Sequence, residues 1–151
     1  MRKITILLIA MMTMCFGATA QTAEDSVKAT INKLFDAMKA SDAAAIKTVF
    51  ADSAILQSIA VDKTGKTIIE NETVEGFATA VSKLPAGAAD ERISFDVIRI
   101  DGRLATVWAP YKFFYNGAFS HCGADSFQLV KINGEWKIQY LIDTRRRKGC
   151  E

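Results

Sequence analysis

Two Asn-Gly dipeptides, Asn116-Gly117 and Asn133-Gly134, constrain this chain more than any other feature. Each lies between strand-like runs, and Asn-Gly is the pair that most readily takes the two positive φ angles of a type I′ turn. The pattern predicts two tight hairpins joining three antiparallel strands between Leu104 and Asp143. With two-residue loops the register follows by counting. On the first hairpin Phe119 falls opposite Phe114, His121 opposite Lys112 and Asp125 opposite Trp108. On the second, Leu129 falls opposite Ile138, Phe127 opposite Tyr140, Asp125 opposite Ile142 and His121 opposite Arg146.

Side chains alternate across a strand, so this register sorts the residues into two faces. Leu104, Trp108, Phe114, Phe119, Phe127, Leu129, Trp136, Ile138 and Tyr140 share what reads as the core face, and His121 and Asp125 point the same way among them. A carboxylate in apolar surroundings is costly to ionise, so Asp125 is expected to hold its proton to unusually high pH, the usual route to a general acid or base near neutrality. The competing reading is a hydrated polar pair at the open end of a sheet, bonded to Lys112, Thr144 or Arg146. The opposite face carries Val107, Ala109, Tyr111, Phe113, Cys122, Ala124 and Val130, too apolar for a surface that meets only water. A homodimer packed through this outer sheet face is the simplest way to cover it.

At the other end of the chain, Arg2 and Lys3 precede an apolar run from Ile4 to Phe16, and Ala18-Thr19-Ala20 places small residues where a signal peptidase reads. Residues 1–20 therefore read as a secretory signal peptide cut after Ala20, the apolar run being shorter than the ~20 residues a bilayer span needs. The expected address is the periplasm or the exterior, with no membrane attachment after cleavage. The chain has 19 Lys and Arg against 17 Asp and Glu, and the leader takes two of the basic residues, which leaves 17 of each. A neutral mature chain argues against nucleic acid as a partner, and Arg145-Arg146-Arg147-Lys148 reads as a solvated basic end. Residues 21–151 are long enough for one core and one domain. Cys15 leaves with the leader, so Cys122 and Cys150 remain as a candidate disulfide in an oxidising compartment. The alternative, a reactive Cys122 thiol, would need an electropositive setting.

The rest of the chain supplies helices and strands in a recognisable order. Val27, Ile31, Leu34, Phe35 and Met38 recur at helical spacing between Thr22 and Ala40; Ser41 or Asp42 caps a shorter helix bearing Ile46, Val49 and Phe50. A hairpin from Ala54–Val61 to Thr67–Glu70 follows, then a helix opened by Glu72 or Thr73 and ended by Pro85 and Gly87, then one strand from Glu91 to Ile100. The fold class is α+β: three helices packed on a strongly curved, mostly antiparallel six-stranded sheet. A sheet curled around helices in this way leaves a conical cavity, a shape that holds small, mostly apolar ligands.

The segments Val107-Trp108-Ala109-Pro110-Tyr111, Phe119-Ser120-His121-Cys122-Gly123, Phe127-Gln128-Leu129-Val130, Gly134-Glu135-Trp136-Lys137-Ile138 and Asp143-Thr144-Arg145-Arg146 resemble the nuclear transport factor 2-like superfamily, the cystatin-like α+β cone. More narrowly, the chain is similar to exported SnoaL-like and lumazine-binding-like proteins of Gram-negative bacteria. The likeness in element order spans residues 22–146. It implies a curved sheet, frequent homodimers and a pocket at the wide end of the cone. It does not select an activity, because that superfamily includes isomerases, dehydratases and cyclases as well as transport factors and plain binding modules.

Three functions follow as expectations. The first is non-catalytic binding of a small, partly apolar molecule, with Trp108, Phe127 and Tyr140 supplying surface and His121 and Asp125 polarity. The second is a cofactor-independent enzyme of proton transfer, an isomerase, dehydratase or cyclase, with Asp125 or His121 as base. The third is a dimeric accessory module that engages another protein. A single histidine and scattered acids make no zinc constellation, and phosphate-loop, dinucleotide and nucleophile-elbow motifs are absent, so neither metal nor cofactor is expected.

Overall fold

The computed structural model describes residues 22–150. The signal-peptide expectation for residues 1–20 falls outside them. Helix α1 (Ala23–Ala40) is followed by α2 (Ala43–Val49), strands β1 (Phe50–Val61) and β2 (Thr67–Glu72), helix α3 (Val74–Ser82), then β3 (Ala89–Ile93), β4 (Val97–Asp101), β5 (Leu104–Tyr115), β6 (Ala118–Ile132) and β7 (Glu135–Thr144). The architecture is α+β: three helices against a curved, mostly antiparallel sheet that does not close.

Each helix starts where a polar side chain satisfies an otherwise unpaired backbone donor. Thr22 accepts from Asp25 N at 3.0 Å while the Asp25 carboxylate receives the Thr22 backbone N–H, a reciprocal box. Asp42 caps α2 through Ala45 N at 2.9 Å, and Thr73 caps α3 through Gly76 N at 2.9 Å. Between α1 and α2 the chain reverses at Ser41, whose φ of 58° lies in the left-handed region. Val27, Ile31, Leu34, Phe35 and Met38 form the buried stripe of α1, as their spacing predicts.

The sheet has seven strands in the order β2-β1-β7-β6-β5-β3, with β4 also paired to β5. All neighbours are antiparallel except β1 and β7. Seven replaces the expected six because the segment read as one strand from Glu91 to Ile100 divides. Strands β3 and β4 meet different stretches of β5, Ile93 opposite Tyr111 and Val97 opposite Trp108. Between them the backbone N–H groups of Ser94 and Asp96 still reach Pro110 O and Trp108 O.

Both hairpins turn at Asn-Gly with positive φ at Asn116, Gly117, Asn133 and Gly134. The counted register holds nearest the turns, with Phe114 opposite Phe119 and Leu129 opposite Ile138. Beyond those pairs it is displaced by one residue, because each hairpin contains a bulge. On β6, Phe113 pairs with His121 and Phe114 with Phe119, which leaves Ser120 as the extra residue. On β7, Leu129 pairs with Ile138 and Gln128 with Tyr140, which leaves Gln139 as the extra residue. The Gln139 amide is held by Ser53 O at 2.9 Å, where β1 makes its own irregularity against β7.

A one-residue displacement moves side chains to the opposite face. The buried face of β5 is Ala105, Val107, Ala109 and Tyr111, of which the last three were expected on the outer surface. Leu104 and Trp108, expected inside, are 48% and 43% exposed. Phe127, Leu129, Trp136 and Ile138 are buried as expected, and Phe127 meets Phe35 edge to face across the core with ring centroids 6.3 Å apart. Phe127 lies opposite Leu141 rather than Tyr140, and Asp125 lies opposite Ala109 and Asp143 rather than Trp108 and Ile142. The partner of Arg146 is Cys122 instead of His121, and His121 itself lies opposite Phe113 instead of Lys112. Cys122 is bonded to Cys150, which fastens the last residues along β6.

Candidate functional site

A cavity of about 370 Å³ opens between the helices and the inner face of the sheet. Leu34, Phe35 and Met38 of α1 form one wall, Phe77 of α3 a second, and Leu56 and Leu141 the floor beside β1 and β7. Its polar end is built by the sheet: Ser58 on β1, Glu91 on β3, Asp125 on β6, Asp143 on β7, and Arg145 just past β7. The two bulges bring these groups together. Gln139 turns Asp143, in place of Ile142, toward the interior opposite Asp125, and Ser120 keeps His121, Gly123 and Asp125 on the same side as Tyr111.

Two of the three acids behave differently from the third. Asp143 is thoroughly paired: it receives Arg145 Nε at 2.8 Å, lies 3.2 Å from the Tyr111 hydroxyl and takes a short hydrogen bond from Ser58. Arg145 also donates to Ser58 Oγ at 2.9 Å, and Tyr111 donates to Thr144 O at 2.9 Å. Two of the five donors of the pocket guanidinium are thus engaged by groups of the protein itself.

Asp125 is only 3% exposed, and among the described residues no donor reaches its Oδ2. The group within hydrogen-bonding reach is another acid, Glu91. Two carboxyl groups in contact form a hydrogen bond only when one keeps a proton. Burial, followed by the charges of Glu91 and Asp143, holds the Asp125 carboxyl well above the usual carboxylate range. Burial likewise pushes Glu91 up to about 7, opposed by its hydrogen bond from Asp125. Near neutral pH the arrangement is a protonated Asp125 donating to Glu91. Burial and the surrounding acids also push the Tyr111 hydroxyl upward, so it acts as a neutral donor.

The residues singled out in the sequence divide around this site. Asp125 lies at the base of the cavity. His121 shares its face but is set off to one side, packed edge-on to Tyr111 at 5.7 Å and tilted against Phe113 at 5.0 Å. Burial and then the Arg145 charge lower its proton affinity, so it is a neutral imidazole. Phe127 is sealed in the core behind the cavity wall. Trp108 faces outward, and Tyr140 lies on the outer side of the sheet, its hydroxyl donating to Gln57 Oε1 at 2.7 Å. The aromatic walls are therefore Phe35 and Phe77, contributed by helices.

Glu91, Asp143, Tyr111, Ser58 and Arg145 were missed. Glu91 carried a usable signal, since it alternates in phase with Ile93 on a strand that has to bury one face. Asp143 carried none, because its inward turn depends on the Gln139 bulge. Among the described residues, no three His, Cys, Asp or Glu side chains are placed as ligands of one metal ion.

The profile of the family described as "Putative lumazine-binding" matches residues 22–140, from the cap of α1 to the middle of β7. The chain belongs to that family. Solved structures agree on the fold. An NTF2-like protein of unknown function from Shewanella baltica superposes with a TM-score of 0.64 at 17% identity, covering 83% of this chain and 94% of that one. A cystatin-like-fold protein of unknown function from Nostoc punctiforme gives 0.65 at 16% identity, with 84% and 95% covered. An NTF2-like protein of unknown function from Methylobacillus flagellatus gives 0.62 at 20% identity, with 82% and 91% covered. No curated protein matches the chain. At these identities the likeness establishes the nuclear transport factor 2-like fold and nothing finer about chemistry.

Proposed function

We propose that this protein is a small-molecule-binding module whose ligand enters the cavity between α1, α3 and the sheet and meets the Asp125–Glu91 pair at its base. The observation that carries this is a cavity of about 370 Å³ in which the buried Asp125 carboxyl and its neighbour Glu91 stand beside Leu34, Phe35, Met38 and Phe77. A concave site with an apolar wall and convergent polar groups is a usual form of ligand pocket. The body of the ligand is partly apolar, to suit Phe35, Met38 and Phe77.

The protein works after export, in the periplasm or outside the cell. The basic and apolar pattern of residues 2–16 and the Ala18-Thr19-Ala20 cleavage signal support this, and the Cys122–Cys150 bridge suits an oxidising compartment. Two copies pair through the outer sheet face, where Ile55, Leu104 and Trp108 expose apolar surface. The test of binding is nuclear magnetic resonance of labelled protein titrated with a fragment library. Hits should perturb Phe35, Met38, Phe77, Leu141 and Asp125 together; perturbations confined to other surfaces would overturn the reading.

One observation favours a catalytic reading beside it. A carboxylate ionising at about 7, supported by a protonated neighbour and a phenol, is suited to taking a proton from carbon without a cofactor. Glu91 would then be the base and Asp125 the donor. Incorporation of deuterium from solvent into a recovered ligand, abolished by Asp125→Asn, would establish turnover; unexchanged ligand would leave binding alone.

A further inference from the structure

The charge around the cavity is lopsided. Glu70 and Glu72 of β2 stand at its rim, Glu91, Asp125 and Asp143 lie at its base, and Arg145 is the one basic lining residue among the described residues. That arginine is engaged by Asp143 and Ser58. Lys39, at the end of α1, is turned to Asp90 at 3.1 Å on the opposite face of β3. Tyr111 of β5 is neutral and occupied, and His121 of β6 stands aside against Phe113. Arg145 is the one cation among the described residues whose charge reaches the Asp125–Glu91 pair, and it donates to Asp143 and Ser58 rather than to either member of the pair.

We propose that the cavity receives a small organic cation, a protonated amine carried on an apolar body, with the ammonium seated against Asp125 and Glu91 and the body among Leu34, Phe35, Met38 and Phe77. This rests on the binding reading above and names the ligand class. An ammonium offers donors only, which suits two neighbouring carboxyl groups that no donor of another described side chain reaches. A carboxylate or phosphate ligand would instead meet acids at both rim and base.

The seat also dictates proton traffic. Without ligand, the two acids share one proton. Below about pH 7 Glu91 holds a second proton; an ammonium favours its ionised form, so binding there releases that proton to solvent. Affinity then rises with pH through the ionisation of the pair, which for Glu91 is centred at about 7, and levels off above it. The rise is at most ~tenfold per pH unit for one proton released.

The test compares three probes with the same body: naphthylmethylamine, naphthylmethanol and naphthoate. Isothermal titration in buffers of different ionisation enthalpy reads affinity and protons together. The amine should bind at least ~tenfold tighter than the alcohol at about pH 8, release close to one proton at about pH 6 and little at about pH 8, and weaken toward pH 6. Glu91→Gln should lose most of the proton release. Joined with Asp125→Asn, it should lose the preference for amine while still binding the alcohol, which also demonstrates an intact cavity. Alcohol or naphthoate binding as tightly as the amine would overturn the inference and leave the binding reading standing. Uptake of none of the three would overturn both.

Discussion

Glu91→Gln should make the folded chain more stable above neutrality and leave it little changed in acid. Gln has the size of Glu and, like the protonated acid, carries no charge. In the unfolded chain Glu91 ionises near its ordinary 4.5, whereas in the fold burial delays ionisation to about 7. A carboxyl with a raised folded-state pKa binds its proton more tightly when folded. Below about pH 4.5 it costs nothing, because both states are protonated. As pH rises from there to about 7 the unfolded chain alone loses the proton, and stability falls; above 7 the loss is complete. At about 1.36 kcal/mol per pKa unit, the interval from 4.5 to about 7 corresponds to a ceiling of roughly 3 kcal/mol. For a domain of this size that is on the order of 10 °C in Tm. Urea unfolding with the disulfide intact, at about pH 5 and about pH 8, measures it. Wild type should lose stability between the two, and Glu91→Gln should lose less by up to that amount, the slope that remains being that of the buried Asp125. A wild-type stability that is flat or rising over this range, or a variant with the same slope, would refute the buried acid pair.

Other perturbations report on the rest of the account. Gly123→Ala would put a Cβ 1.8 Å from Thr144 O and 2.6 Å from the Tyr111 ring, so the hydroxyl that ties β5 to the end of β7 must move; a loss of at least ~2 kcal/mol in urea unfolding is expected. Cys150→Ser removes a bridge spanning 28 residues and should cost about 3 kcal/mol, read as a lower Tm that reductant no longer alters. Trp108→Glu places a charge on the outer sheet face and should convert a dimer to a monomer in sedimentation velocity while amine or fragment binding in the cavity is unchanged.

The hairpins were legible because Asn-Gly turns act locally, and the α1 stripe because five apolar residues recur at one helical spacing. Asp125 was found by alternation on β6, and its parity with His121 is real, since no bulge separates them. The faces of β5 were inverted because counting from a turn assumes an uninterrupted ladder. Ser120 and Gln139 each interrupt it, and the reason for Gln139 lies in Ser53, 86 positions away in sequence. Strong local signals thus fixed the elements, while the composition of the site depended on two bulges whose causes are tertiary. That is why Trp108 and Tyr140 were drawn into the pocket and Asp143 and Arg145 were not. The division of β3 from β4 has a similar origin: apolar alternation continues through Phe95, but the strand changes its place along β5 there.

The central claim is that the cavity above Asp125 and Glu91 holds a small molecule. Native mass spectrometry of the protein isolated gently from its own source tests it most directly, with Leu141→Trp, which fills the cavity floor, as the comparison. Wild type should carry a mass excess on the order of a few hundred daltons per subunit, lost from the filled variant and enriched in basic nitrogen when the adduct is identified. A wild-type mass without adduct that stays unchanged after incubation with extract, or an adduct retained equally by Leu141→Trp, would contradict it.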